Sequence, residues 1–181
     1  MIQEFRPTII FLIKFFGIYL AGNLIYGAWI THWYPQADPA THLVTQNSAD
    51  IIRLLGYEVE IHDFPNKPTT YIQLRENAVI SVYEGCNGLN VGIVFLAFLF
   101  AFGPYIKAMF WFAPLGLLII HIANLTRIVL LFWVSLFEPD YLYFTHKYLF
   151  TAFIYLFVFL LWIVWVMKLA KPPLKTDEIS G

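Results

Sequence analysis

The sequence predicts an all-α integral membrane protein with about four transmembrane helices and an extracytoplasmic loop that carries an interfacial helix and a small β-element. Composition is the first reason, since 60% of the 181 residues are hydrophobic and only 13% are charged. Soluble domains carry roughly 25% charged residues. The second reason is that several apolar runs approach the about 20 residues that a helix needs to cross a bilayer. No linker divides the chain, so residues 1–181 are expected to form a single membrane domain.

The charge and cysteine counts exclude several classes of function. A formal net charge of −1 gives no general attraction to polyanions, so nucleic acid is not expected as a partner. Cys86 is the only cysteine, which excludes an intramolecular disulfide, a redox pair of thiols and a cysteine-rich zinc site. The five histidines show no metal-ligand spacing. Neither a metal nor a cofactor is therefore expected.

Four segments are predicted to span the membrane: 9–30, 87–102, 105–127 and 148–167. The first segment tolerates Lys14, because a lysine near a helix end can extend its ammonium group to the lipid headgroups. It has no small-residue cleavage pattern, so it is expected to remain as a span. The apolar run that starts at Tyr105 is too long for one crossing. Residues 128–137 are therefore predicted to form an interfacial or re-entrant piece.

Lysines near the helix ends predict that both termini are cytoplasmic. Lys14, Lys107 and Lys168 would then lie on the inner side, where short segments are enriched in basic residues. This orientation makes residues 168–181 a cytoplasmic tail. It puts the outer loop, residues 31–85, outside the cytoplasm.

The outer loop is predicted to fold in two parts. Thr41 can cap a helix whose apolar positions fall mostly on one face, and Gly56 can end it. Such a helix would lie on the membrane surface. Alternating aliphatic residues over 59–82 predict short strands. These strands lead directly into Cys86.

Cys86 lies in the sequence Glu-Gly-Cys-Asn-Gly-Leu-Asn, where the outer loop meets the second predicted span. A lone cysteine beside a membrane helix is commonly an inert packing residue. Here, however, Gly85 and Gly88 permit close approach of the backbone, and a helix start offers free N–H groups and a positive dipole end. Such surroundings lower a thiol pKa and can bind an oxyanion. The position therefore suits a nucleophilic thiolate.

Arg127 is the second residue that favours a functional site. An arginine inside an apolar stretch costs at least a few kcal/mol unless it is paired or faces water. His121, Asn124 and Arg127 fall on one side of the same predicted helix. A polar stripe of this kind is expected to face the interior of the bundle. The alternative is an arginine at the outer interface that binds lipid phosphates.

His146 precedes the last predicted span, where an interfacial histidine would be unremarkable by itself. In the predicted topology, however, Cys86 opens the second span, Arg127 closes the third and His146 opens the fourth. All three residues then reach the same outer interface. Histidine can hold a thiolate and pass protons to a leaving amine, while arginine can bind a carboxylate or stabilise charge on an attacked carbonyl.

Three short motifs carry a resemblance to a known family: Cys86-Asn87-Gly88, Asn124-Leu125-Thr126-Arg127 and His146. In this order and spacing they resemble the exosortase and archaeosortase family of membrane-embedded cysteine transpeptidases, over roughly residues 79–167. The resemblance implies that Cys86 is the nucleophile and His146 the general base and acid. Arg127 would stabilise the transition state or position the substrate, with Asn124 supporting it. Asn87 and Gly88 would support the nucleophile.

The resemblance also implies a substrate class and a location. Family members recognise secreted proteins that end in a short motif, a hydrophobic span and a basic cluster, and they cut near the motif. Transfer of the new C-terminus to an envelope acceptor is expected. The implied location is the bacterial inner (cytoplasmic) membrane, with the active site facing outward. Asn87 stands where a serine often follows the cysteine, and the chain is expected to be a compact, core-only version of the family.

Two other classes of function stay open from the residues alone. A non-enzymatic assembly factor or small transporter subunit could use the polar stripe only to bond neighbouring helices, and it predicts that Cys86→Ala has no effect. Another intramembrane hydrolase or acyltransferase is less favoured, because the sequence has no Gly-x-Ser-x-Gly and no His-Glu-x-x-His motif.

Overall fold

A computed structural model describes residues 2–103 and 106–169, which form a helical bundle carrying a small helix-and-sheet unit. The helices are α1 (Ile2–Trp33), α2 (Pro39–Leu54), α3 (Leu89–Phe102), α4 (Ile106–Phe137), α5 (Leu142–Phe144) and α6 (Phe150–Val164). The strands are β1 (Val59–Asp63), β2 (Thr69–Leu74) and β3 (Asn77–Tyr83). The predicted class, a mainly helical membrane protein with a small β-element, is confirmed. Most of the predicted cytoplasmic tail, 170–181, lies outside the described residues.

Within the described residues, three helical segments are long and apolar enough to cross a membrane: Phe5–Trp33, Lys107–Phe137 and Pro139–Leu169. They overlap the first, third and fourth predicted spans. The helix α3 is apolar but has 14 residues, fewer than the about 20 that a full crossing needs. The count of four spans therefore stays a prediction.

The helix α4 continues without a break to Phe137. The prediction of a separate interfacial or re-entrant piece over 128–137 was therefore wrong. The prediction assumed that lipid covers every apolar residue of the run. Instead, Ile128 and Phe132 are buried against α2 and the sheet. Their apolar character is explained by a protein core, and α4 can extend beyond the length that a bilayer would cover.

The sheet is antiparallel, with the strand order β1-β2-β3, and it shares a core with α2 and the C-terminal half of α4. Ile52 of α2, Ile72 of β2 and Phe132 of α4 are fully buried in this core. Burial of one such side chain contributes about 1.5–3 kcal/mol. The core therefore holds the sheet, and the chain that leads from it to Cys86, against α4.

The helix α2 begins two residues before its predicted cap. Asp38 is the cap, and its carboxylate accepts hydrogen bonds from the N–H groups of Ala40 at 2.9 Å and Thr41 at 3.2 Å. The Thr41 hydroxyl donates to the same carboxylate. Pro39 occupies the first helical position, where a missing N–H is harmless. Gly56 follows the helix with a φ of +92°, in agreement with its predicted role as a stop.

A second apolar core lies among α3, α4 and α6. Phe95 of α3, Ile120 of α4 and Val158 of α6 are buried in it, and α1 packs along α3. Along α4, the polar residues Asn124 and Arg127 fall between Ile120 of this core and the core beneath the sheet. The two apolar cores therefore adjoin at a polar level of α4.

Candidate active site

Cys86, Arg127 and His146 meet where the two cores adjoin. The Cys86 Sγ lies 3.6 Å from His146 Nε2, and Arg127 Nη2 lies 4.0 Å from the same sulfur. Arg127 Nη2 is also 3.2 Å from His146 Nε2. The three side chains come from the turn before α3, the C-terminal half of α4 and a π-helical segment, Thr145–Leu149, before α6. The structure thus brings together the three residues that the sequence predicts as catalytic.

The turn that carries Cys86 is short and tightly held. Cys86 ends a 3₁₀ turn (Glu84–Cys86) that joins β3 to α3. Gly88, at the start of α3, has a φ of +83°, and a Cβ there would lie 3.3 Å from Asn124 Nδ2. Both conditions favour glycine. Gly88 therefore permits the close backbone approach that the motif suggests.

Asn124 bonds the turn to α4. Its Nδ2 donates to the backbone oxygen of Cys86 at 2.8 Å, and its side chain is fully buried. Asn124 thus holds the cysteine itself, whereas the resemblance implied support of Arg127. One turn further along α4, Arg127 is only 9% exposed. This burial excludes the alternative in which Arg127 extends into the headgroups.

Asn87 belongs to a buried hydrogen-bond network on the other side of the turn. Its Nδ2 donates to Tyr26 Oη on α1 at 3.0 Å and to Thr41 Oγ1 on α2 at 3.3 Å. Its Oδ1 accepts from the Leu89 N–H at 2.9 Å, and the Tyr26 hydroxyl donates to the Glu84 backbone oxygen at 2.7 Å. Two helices, α1 and α2, therefore help to fix the position of Cys86.

Sequence reasoning missed Tyr26 and Tyr83 as members of the site. Tyr26 lies inside the first apolar segment, and the hydroxyl group of its own side chain is its only signal of a polar contact. Tyr83 ends β3, and its ring lies against Gly85, where an added Cβ would clash with it. Neither residue has a sequence neighbour that would indicate its partner.

His121 does not contact the cluster. Its Nε2 lies 3.3 Å from Asn47 Nδ2, so it bonds α4 to α2. Asn124 and Arg127 are buried, as expected for a stripe that faces the interior, while His121 is half-buried. The stripe therefore combines two residues at the site with one that connects two helices.

The contacts of His146 define its resting tautomer. Arginine can only donate hydrogen bonds, so the contact with Arg127 makes Nε2 of His146 an acceptor. The ring proton then sits on Nδ1, and the ring is neutral. The Cys86 Sγ lies 3.6 Å from the same Nε2. Nε2 has a single lone pair, so it can take the proton of the thiol once Arg127 Nη2 turns away from it.

Cys86 is 5% exposed, and burial raises the pKa of its thiol above the ordinary value. The positive charge of Arg127 and hydrogen bonding by Tyr83 oppose this rise, while the charge of Glu84 adds to it. The expectation of a lowered thiol pKa was therefore wrong. That expectation took account of the free N–H groups at the start of α3, but not of the enclosure of the sulfur between β3 and α4. At neutral pH the resting thiol is protonated.

Thiol labelling against pH checks this assignment. In the detergent-solubilised chain, a thiol reagent should modify Cys86 with a midpoint above the roughly 8.5 of an ordinary thiol. Glu84→Gln should move the midpoint down because it removes a negative charge, and Arg127→Gln should move it up because it removes a positive one. Every signal belongs to Cys86, the only cysteine. A midpoint below 8.5, or two variants that shift in the same direction, would contradict the assignment.

Two cavities share Tyr83, Arg127 and His146 in their walls. The larger, about 520 Å³, runs between β3, α4 and α5 and has Cys86 in its wall. The smaller, about 310 Å³, runs between the beginnings of α3 and α6. In the described ranges, 2–103 and 106–169, no three histidine, cysteine or acidic residues are grouped as metal ligands.

Comparison with known families identifies the chain. Residues 11–167 match the family described as transmembrane exosortase (Exosortase_EpsH). The match spans most of the chain and includes every residue of the cluster. Neither the comparison with curated proteins nor the comparison with solved structures yields a match. With its long apolar helices, the chain is a multi-pass membrane protein, and it belongs to the transmembrane exosortase family.

Proposed function

We propose that this chain is a membrane-embedded cysteine protease or transpeptidase that cleaves the C-terminal sorting tails of secreted proteins. The observation that carries the proposal is the cluster of thiol, imidazole and guanidinium, in which every pair of groups lies within 4.0 Å. Cys86 is the proposed nucleophile, His146 the base and acid, and Arg127 the cation that stabilises the oxyanion.

The first step is attack of the Cys86 sulfur on the scissile carbonyl carbon. His146 Nε2 takes the thiol proton as the S–C bond forms, and the carbonyl π electrons move to the oxygen. A buried thiol that is protonated at rest needs a base in contact with it. The 3.6 Å separation of Sγ and Nε2 supplies that contact.

Arg127 changes partners during this step. At rest its Nη2 donates to His146 Nε2 at 3.2 Å. Nε2 can take the thiol proton only when Nη2 has left its lone pair, and the imidazolium that forms then repels the guanidinium. The new oxyanion forms near the sulfur, within reach of the released Arg127. The buried Nε of Arg127 has no partner among the described residues, so a second donor is available to the substrate oxygen.

Collapse of the oxyanion breaks the C–N bond. The protonated His146 gives its proton to the leaving amine, and the substrate remains on Cys86 as a thioester. Attack by water then gives hydrolysis, and attack by an acceptor nucleophile gives transfer. In both cases His146 takes the proton of the incoming group, and the Cys86 thiolate leaves.

The two cavities fit a substrate with a soluble part and a membrane-spanning tail. The larger cavity borders the sheet, while the smaller one borders α3 and α6, two apolar helices of the bundle. A short motif could reach Cys86 through the first cavity while the hydrophobic span of the tail leaves through the second. The site would then face outward from the inner membrane, with the outer loop 31–85 outside the cytoplasm.

The non-enzymatic alternative accounts for only part of the cluster. Hydrogen bonds from Asn124 and His121 do connect neighbouring elements, as a structural polar stripe would. A structural polar stripe does not require a buried thiol in contact with both an imidazole and a guanidinium. Catalysis explains all three contacts.

A tail-bearing reporter tests the proposal. The purified chain, in lipid vesicles, is mixed with a carrier protein fused to the C-terminal tail of a secreted protein from the same cell. We expect a cut near the motif, seen as a mass loss equal to the tail. A carrier without the tail is the control and should keep its mass. An intact tail after long incubation with vesicles that contain the folded chain would contradict the proposal.

A further inference from the structure

The strand β3 has a free edge that borders the candidate active site. In the order β1-β2-β3, one edge of β3 pairs with β2 and the other has no strand partner among the described residues. Residues 79–83 all line the larger cavity. Successive side chains of a strand point to opposite faces, so a cavity that touches five consecutive residues lies along the backbone edge. The cavity therefore runs along the free edge of β3.

The strand pairing identifies the residues whose backbone groups point to this edge. The Thr69 carbonyl of β2 accepts a hydrogen bond at 3.0 Å from the N–H of the residue that follows β1, so Thr69 directs its backbone groups to the β1 side. Its partner in β3 is Tyr83, which therefore directs its own backbone groups away from β2. Ser81 lies two residues before Tyr83 with no register shift between them, so it directs its N–H and C=O to the same free edge. Val79 is the extra residue at the register shift of β3, and its carbonyl accepts a hydrogen bond from Ser135 Oγ of α4 at 2.8 Å.

The open part of the edge is short and ends at the nucleophile. Ser135 covers it beside Val79, and within the part of the chain described no loop backbone bonds to Ser81. Two strand residues span about 7 Å. A peptide residue that pairs with Ser81 would therefore have its second neighbour beside Tyr83 and Cys86. Proteins usually cover or charge such edges, and here α4 covers the edge up to the site.

We infer that the substrate segment preceding the scissile bond binds as an added strand on the free edge of β3, with main-chain hydrogen bonds to Ser81. The inference rests on the proposed function and specifies how the substrate is held. The occupant is an extended polypeptide, because only a main chain supplies a donor and an acceptor at strand spacing. Ile128, Leu131 and Leu142 in the cavity wall favour uncharged side chains next to the cut.

Proline and alanine at position 81 test the inference. Ser81→Pro removes the N–H that points into the cavity, and proline is tolerated on an edge strand when that N–H does not bond to the neighbouring strand. Ser81→Ala keeps the N–H and removes only the hydroxyl. We expect kcat/KM for the tail-bearing reporter to be about tenfold or more lower with proline than with alanine. Equal activity of the two variants would overturn the inference.

Cross-linking gives a second test that does not depend on the proline variant folding. In a Cys86→Ala chain, Ser81→Cys is combined with reporters that carry single cysteines at successive positions before the cut. An added strand should give disulfides at alternate positions, two residues apart. A spacing of three to four residues, or no preference, would overturn the inference.

The outcomes separate the inference from the proposed function. If Cys86→Ala still cleaves the reporter, the proposed function fails. If Cys86→Ala is inactive but Ser81→Pro is fully active and the cross-links do not alternate, only the added strand is disproved.

Discussion

Replacing Cys86 by alanine is expected to stop tail processing completely while the protein stays abundant in the membrane. The residue is the only cysteine of the chain, so no other thiol can take over the attack. The change removes one sulfur atom and leaves the backbone bond from Asn124 Nδ2 intact, so the fold should survive. The ratio of cleaved to tail-bearing reporter measures the loss, and membrane abundance of the variant shows that it folds.

Histidine variants give this prediction a matched control. His146→Ala should be impaired to a similar degree, and the Cys86→Ala/His146→Ala double variant should be no worse than either single change, because groups that act in one step are not additive. His121→Ala removes a histidine that bonds to Asn47 and does not contact the cluster. It should keep near-normal processing. Normal cleavage by Cys86→Ala would reject the enzymatic account.

Arg127→Lys is expected to lower kcat by about tenfold to a thousandfold, equivalent to roughly 1.4–4 kcal/mol in the barrier. Arg127 contacts His146 Nε2 through Nη2 and keeps a buried Nε without a partner in the described structure. The planar guanidinium can bind an oxyanion through two N–H donors in fixed geometry, and a lysine ammonium cannot reproduce that arrangement. Arg127→Ala should lose more activity than Arg127→Lys.

Steady-state cleavage of the reporter measures this effect. Arg53→Lys is the matched control, because Arg53 lies on α2 and pairs with Asp50 at 2.7 Å in an exposed position. Its replacement should leave turnover within about twofold, as expected for a surface pair. Near-normal turnover of Arg127→Lys would mean that any positive charge suffices at this position.

The approximate positions of the helices and the meeting of the three site residues could be predicted from the sequence. Apolar runs mark the helices, because a bilayer or a bundle core selects the same composition over the same length. Cys86, Arg127 and His146 each fall where an apolar segment begins or ends in the predicted topology. The prediction that they meet came from their shared depth in that topology, although Arg127 lies inside α4, which continues to Phe137.

The extension of α4 could not be predicted in the same way. Residues 128–137 are apolar, and this signal is the same whether lipid or protein covers them. The covering partner is the sheet, with Ile72 packed in the same core as Phe132. Contacts between such distant parts of the chain leave no local pattern.

The environment of Cys86 also could not be predicted from the sequence. A helix start predicts a stabilised thiolate, but the enclosure of the sulfur by β3 and α4 raises the pKa of Cys86 instead. The network of Tyr26, Thr41 and Asn87 likewise joins residues far apart in the chain. The position of Cys86 could be predicted, and its protonation state depended on packing that only the folded chain has.

In the proposed mechanism, Cys86 carries the cleaved substrate as a thioester. The most direct measurement is the mass of the peptide containing Cys86 after the vesicle-bound chain is mixed with the tail-bearing reporter and quenched in acid. We expect this peptide to gain the mass of the reporter segment that lies N-terminal to the cut, and we expect hydroxylamine to release that segment as a hydroxamate. Cleaved reporter that accumulates with no adduct on Cys86 and no hydroxamate would contradict the account.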